Sequence, residues 1–265
     1  LIGFGLSATH PRPGDDLEVA LRWQALEGAG VGYTVLLHLL GSDGQGVAGL
    51  DEALLGALYQ PALWPKEATM TDRHRLTLPP DLPPGRYRLD VGLYPPGQPG
   101  QLLPVGDSDR LPLAALEVGD LALPPSAVPL NAGFGDQLRL LGYDLDCQTE
   151  EGGCTLALQW QAQAPMDRDY TVFVHLLDAD GAIVTQSDAP PGAPFFPTSI
   201  WLPGARVSDS HVLDLPEALA SGDYSLLVGV YYQPTGERLA ASDAHGEPLG
   251  DSIRLGPLPL DEGAP

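Results

Sequence analysis

Along residues 17–23 the apolar side chains Leu17, Val19, Leu21 and Trp23 alternate with Glu18, Ala20 and Arg22. This is the period of two that marks a strand with one face buried. The same alternation runs through Tyr87, Leu89, Val91 and Leu93, and through Leu76 and Leu78. Helical spacing is absent except in LDEALLGALYQ (50–60), the one candidate for a helical turn or two. YTVLLHLL (33–40) and YTVFVHLL (170–177) differ from the other strands because both of their faces are apolar. A strand of that kind is covered on both sides. The expected cover is the long segment that follows each, 52–68 and 189–205, with His38 and His175 beneath it against Trp64 and Trp201.

These two strands belong to a longer repeat. At an offset of 137, LEVALRWQA (17–25) matches CTLALQWQA (154–162), DRHRLTLP (72–79) matches DSHVLDLP (209–216), and LPPGRYRLDVGLY (82–94) matches LASGDYSLLVGVY (219–231). Over 17–94, 29 of 78 positions are identical without a gap. Such self-similarity marks a duplicated domain. The boundaries expected are repeat 1 at 1–119, a Pro-rich linker at 120–133, repeat 2 at 134–260 and a tail at 261–265. About seven short strands per repeat, punctuated by Gly and Pro, predict an all-β protein of two tandem Greek-key β-sandwiches, immunoglobulin-like or fibronectin-III-like. Tyr87 and Tyr224 each follow a glycine turn at a strand start, as a tyrosine corner requires. With Trp23, Trp160, His38 and His175 they are read as scaffold.

Composition narrows the partners. The 265 residues hold 35 acidic and 13 basic side chains, a net charge of −22. That surface repels phosphates and anionic lipids, which argues against nucleic acid and membrane surfaces as partners. No apolar run reaches the length of a membrane span, and no charged, then apolar, leader opens the sequence. An extracytoplasmic chain of this kind is expected to be a mature form or a fragment of a larger membrane-anchored protein. Cys147 and Cys154 flank a polar six-residue loop between strands and read as a disulfide, the alternative being two unpaired thiols. A disulfide implies an oxidising compartment, secreted or at the cell surface.

Catalytic chemistry finds little support. His38 with His74, and His175 with His211, could pair as a metal or acid–base site, but two histidines fall short of a catalytic metal ligand set and no carboxylate is spaced to complete it. SDG (42–44) and DADG (178–181) read as hairpin turns, since no twelve-residue calcium loop ending in Glu accompanies them. GDS at 106–108 and 250–252 lies in acidic loops without the helix a nucleophile elbow needs. No catalytic residue, metal site or cofactor is therefore assigned. The binding candidates are aromatic loop residues, Tyr59 and Trp64 in one copy and Phe195, Phe196 and Trp201 in the other, with Tyr231 and Tyr232 as a weaker second patch.

The run YTVFVHLLDADG, PTSIWLPGA, DSHVLDLP and SGDYSLLVGVYYQPTGERL, preceded by FGDQLRLLGYDL (134–145), resembles a known module. It is similar to the tandem β-sandwich repeats that follow the membrane region of bacterial dolichyl-phosphate-mannose-type glycosyltransferases and that occur in uncharacterised surface proteins. The first copy departs from that pattern by lacking PTS. The resemblance implies an extracytoplasmic accessory module and transfers no catalytic residue. The expected function is non-catalytic binding of carbohydrate or a surface glycoconjugate. The alternative is a structural or docking component of a surface layer, filament or membrane-anchored complex, with a cell-surface protein as partner.

Overall fold

The computed structural model describes residues 1–26, 32–56, 64–121, 123–148, 153–216, 219 and 222–260. Tyr59 lies outside them. The chain divides into two compact units, residues 1–122 and 123–265.

In the first unit the strands are β1 (Gly3–Leu6), β2 (Asp16–Gln24), β3 (Thr34–Leu40), β4 (Gly46–Ala53), β5 (Thr69–Thr77), β6 (Gly85–Tyr94) and β7 (Leu111–Val118). They form two antiparallel sheets, ordered β1-β2-β5 and β4-β3-β6-β7. A three-stranded sheet facing a four-stranded one, with the fourth strand joining the second sheet, is the fibronectin-III-like form of the sandwich. The alternation read from the sequence is the alternation of burial: Leu17, Val19 and Leu21 on β2 are 0% exposed, while Asp16, Glu18 and Arg22 face solvent. Residues 50–53 belong to β4, so the helical candidate at 50–60 is a strand in its first part. Its residues 57–60 lie outside the described set.

The second unit repeats the plan with additions. Its strands are β8 (Val128–Phe134), β9 (Leu138–Gln148), β10 (Gly153–Ala162), β11 (Tyr170–Leu177), β12 (Ile183–Ala189), β13 (Arg206–Asp214), β14 (Gly222–Tyr232), β15 (Glu237–Arg238), β16 (Ala241–Ser242), β17 (Pro248–Gly250) and β18 (Ile253–Leu260). One sheet runs β13-β10-β9-β8-β16-β17; the other runs β12-β11-β14, with β15 and β18 both pairing β14. The segment read as linker, 120–133, is a strand in its last part: from Val128 it is β8, hydrogen-bonded to β9. Its Pro129 sits at a register shift in that pairing, where a missing N–H is tolerated.

β3 and β11 are buried on both faces apart from Thr34, His38 and His175, as their sequence required. The cover differs from the one expected. Arg238 of β15 lies 4.5 Å from the Phe173 ring centroid, and Leu102 and the Asp109 carbonyl approach Gly92 beside Leu36. The outer faces are therefore covered by the segments after β6 and β14. Gly229 pairs across from Phe173, and a side chain at 229 would occupy the space of that ring.

Candidate functional site

Three groupings bring chemistry-bearing side chains together. The first recurs in both units. Asp72 and His74 sit two residues apart on β5, the edge of one sheet, and both side chains point inward. His74 Nε2 bonds to Asp72 Oδ2 at 2.8 Å, and Nδ1 bonds to Glu52 Oε2 of β4 at 2.8 Å. Asp72 Oδ2 also accepts the Leu55 N–H at 3.1 Å, where Leu55 has φ 55°. In the second unit His211 Nε2 bonds to Asp209 Oδ2 at 2.9 Å, and Nδ1 meets Ser187 Oγ of β12 at 3.2 Å. Asp209 Oδ1 accepts the Gly192 N–H at 3.1 Å, with φ 80° at Gly192.

Each cluster thus joins the edge strands of the two sheets and pins the loop between them. Burial pulls the His74 pKa down, but hydrogen bonds to Asp72 and Glu52 and the charges of both outweigh it, so the group titrates above its ordinary value. Ser187, His211 and Asp209 are the residue types of a nucleophile, base and orienter. However, the His211 side chain is 0% exposed, so a substrate has no access to it. The arrangement is a fastener.

The pairings His38–His74 and His175–His211 do not form. His38 Nδ1 accepts a hydrogen bond from Arg110 Nη1 at 3.1 Å. Burial and the Arg110 charge lower its pKa, against the opposing charges of Asp51 and Asp90. His175 Nε2 is 3.8 Å from Asp188 Oδ1, and its ring centroid is 4.8 Å from that of Phe173. Burial lowers its pKa; Asp188 opposes this and Arg238 adds to it. Neither histidine is stacked on a tryptophan; each is half-buried on the outer face of its sheet. No group of three or more His, Cys, Asp or Glu side chains among the described residues could hold a metal ion.

The second grouping is the aromatic flap, and here the expectation is corrected. Trp64 is 6%, Phe196 5% and Trp201 2% exposed, with Phe195 half-buried beside Phe196 at a centroid distance of 5.2 Å. The Trp201 Nε1–H donates to the Phe196 carbonyl at 2.9 Å. The Trp201 ring folds back onto its own segment, and Trp64 and Phe196 are likewise buried, since burying a large aromatic surface outweighs leaving it in water. They present no flat platform. Scaffold positions behave similarly: Trp23, Trp160, Tyr87 and Tyr224 are all buried, and the Tyr87 hydroxyl donates to the Pro83 carbonyl at 2.8 Å.

The third grouping is a cleft of about 730 Å³ in the second unit. Tyr231 and Tyr232, both half-buried, form one wall at the end of β14; Pro190, Pro194 and Pro197 of the flap form another. The Tyr231 hydroxyl donates to Asp188 Oδ2 at 3.0 Å. Arg168 lies 5.0 Å from the Tyr232 ring centroid and bonds Glu237 Oε2 at 2.7 Å. Thr198 holds the walls together: its Oγ accepts the Tyr170 N–H at 2.8 Å and donates to the Arg168 carbonyl at 3.0 Å. Ser199 N–H adds a bond to Asp169 Oδ1 at 3.1 Å. Thr198 and Ser199 belong to the PTS motif that only the second copy carries. In the first copy Tyr94, which matches Tyr231, is 6% exposed, and Pro95 replaces Tyr232.

Comparison with known proteins assigns no family. No family model matches the chain, and no curated protein matches it. Among solved structures the chain is similar to the BSP domain of a biofilm-associated protein, at 13% identity and a TM-score of 0.21, over 99% of this chain and 30% of that one. It is similar to red sea bream transglutaminase at 12% identity and a TM-score of 0.22, over 87% and 29%. It is also similar to native E. coli alpha-2-macroglobulin at 11% identity and a TM-score of 0.28, over 98% and 14%. The chain spans less than a third of each of these proteins. Scores this low bear on neither its function nor its relationships.

Proposed function

We propose that this chain is a non-catalytic, extracytoplasmic binding module whose second sandwich takes carbohydrate, or the glycan of a surface glycoconjugate, in the Tyr231–Tyr232 cleft. The cleft itself carries the reading. Two half-exposed aromatic rings offer faces to the C–H side of a sugar ring, and Asp188, Asp169 and Arg168 stand beside them to meet hydroxyl groups. With a net charge of −22 and three aspartates lining the cleft against one arginine, the ligand is a neutral glycan. The Cys147–Cys154 disulfide supports an oxidising compartment. The resemblance to repeats that follow a glycosyltransferase membrane region supports an accessory role near glycans.

Calorimetric titration of the full chain with neutral oligosaccharides tests this. One saturable site, weakened at least about tenfold by Tyr232→Ala with the fold retained, is the expected result. The burial of Trp64 and Trp201 favours a second reading, a docking or structural component of a surface assembly. Absence of binding to every glycan, or binding indifferent to Tyr232→Ala, would select that reading.

A further inference from the structure

His175 stands outside the Tyr231–Tyr232 cleft but faces a carboxylate that lines it. It lies on the outer face of β11, opposite Gln186 of β12 and Leu227 of β14. Asp188, the cross-strand neighbour of Phe173, sets Oδ1 3.8 Å from His175 Nε2, while its Oδ2 accepts the Tyr231 hydroxyl at 3.0 Å. The Phe173 ring packs beside both, its centroid 4.8 Å from that of His175 and 6.2 Å from that of Tyr231. One carboxylate thus has an imidazole on one side and a cleft tyrosine on the other.

A separation of 3.8 Å is too long for a hydrogen bond, but an imidazolium would be drawn across it. With side chains 13% and 33% exposed, the two groups are partly shielded from water, and opposite charges attract more strongly there than at an open surface. Among the described residues, the charged groups facing His175 are Asp188 from β12 and Arg238 from β15. Arg238 Nη1 in turn bonds Asp251 Oδ2 at 3.1 Å. β14 presents Leu227 and the Tyr231 phenol, and Arg254 of β18, one strand further, is turned to Ser225 Oγ at 2.7 Å. Burial lowers the His175 pKa; Asp188 opposes this and Arg238 adds to it, so the ring is neutral near pH 7 and takes its proton below about pH 6.5.

We propose that His175 is a positioning residue for the cleft, acting through Asp188: its protonation draws the Asp188 carboxylate off the Tyr231 hydroxyl and weakens binding at acid pH. With His175 neutral, Asp188 fixes the Tyr231 ring and offers its charge to a ligand hydroxyl. With His175 charged, that acceptor turns to the imidazolium and the Tyr231 hydroxyl loses its partner. The first unit holds the same pair of residue types in His38 and Asp51. There, however, Arg110 Nη1 donates to His38 Nδ1 and the matching Tyr94 is buried. The effect on binding rests on the reading of the cleft as a glycan site; the coupling of His175, Asp188 and Tyr231 does not.

Nuclear magnetic resonance of the full chain, labelled in its histidine and tyrosine rings, tests that coupling without a ligand. The Tyr231 ring signals, assigned with Tyr231→Phe, are expected to move with the same midpoint as the His175 ring. His175→Gln should remove that inflection. Asp188→Asn should remove it too and lower the His175 midpoint, by taking away the charge that favours the proton. Tyr231 signals that ignore the His175 titration, or that keep their inflection in folded His175→Gln, overturn the proposal. Calorimetry with cellotetraose, maltotetraose and chitotetraose reads the consequence. Binding is expected to weaken at least about threefold from about pH 7.5 to about pH 5, as for one lost hydrogen bond, and His175→Gln should flatten the profile. Binding that holds constant over that range overturns the regulation. No binding of any of the three, with the resonance coupling present, supports the coupling and overturns the glycan reading instead.

Discussion

The two units share a 137-residue sequence repeat and one strand plan, and comparing them separates the groups that recur from those that do not. Both retain the aspartate–histidine pair on the edge strand, Asp72 with His74 and Asp209 with His211, and both pin a left-handed loop residue with it. They differ in the third member, Glu52 in one and Ser187 in the other, which replaces an ion pair by a neutral contact. Among the described residues, the disulfide and the cleft walled by Tyr231 and Tyr232 belong to the second unit. The groups that tie one sheet to the other thus recur in both units, whereas the residues proposed to bind are found in the second.

The strongest way to break this comparison is at the paired tryptophans. Trp160→Ala removes a fully buried ring with an aromatic partner and should cost the second unit about 4 kcal/mol. Trp23→Ala, at a ring 8% exposed, should cost the first unit less. Chemical denaturation with hydrogen exchange assigned to each unit measures both, and equal losses would show that the edge-on Phe134 contact adds nothing to the second unit. Next in size is the double replacement Cys147→Ser, Cys154→Ser, expected to remove about 2 kcal/mol from the second unit through its short closed loop and to leave the first unchanged. A loss shared by both units would contradict their separate compactness.

The smallest effect sharpens the difference between the two fasteners. His74 holds its proton more tightly folded than unfolded, because Asp72 and Glu52 favour the charged ring. Its stabilisation of the first unit is therefore complete below about pH 6.5 and is lost as the pH rises through the raised folded value. Unfolding of the first unit between about pH 5.5 and 8.5 should show that decline, and Glu52→Gln should flatten it. An unchanged slope in the variant would assign the pH dependence to other groups.

The duplication, the strand pattern and the all-β sandwich were legible in residue order, because a period of two states directly which side chains face inward. The doubly buried β3 and β11 were legible for the same reason. The inter-sheet fasteners left a trace, the D-x-H alternation at 72–74 and 209–211, placing two polar side chains on the inward face of an edge strand. Nothing in that trace names Glu52 or Ser187, which reach the histidines from 22 and 24 residues away along the chain. The flap tryptophans show the limit most clearly. An aromatic residue in a loop has the same local sequence whether its ring faces water or folds beneath its own segment. Periodicity determines the face of a strand on which a side chain lies; only tertiary packing decides what covers that face. Here it buried Trp64, Phe196 and Trp201, and left Tyr231 and Tyr232 lining the cleft.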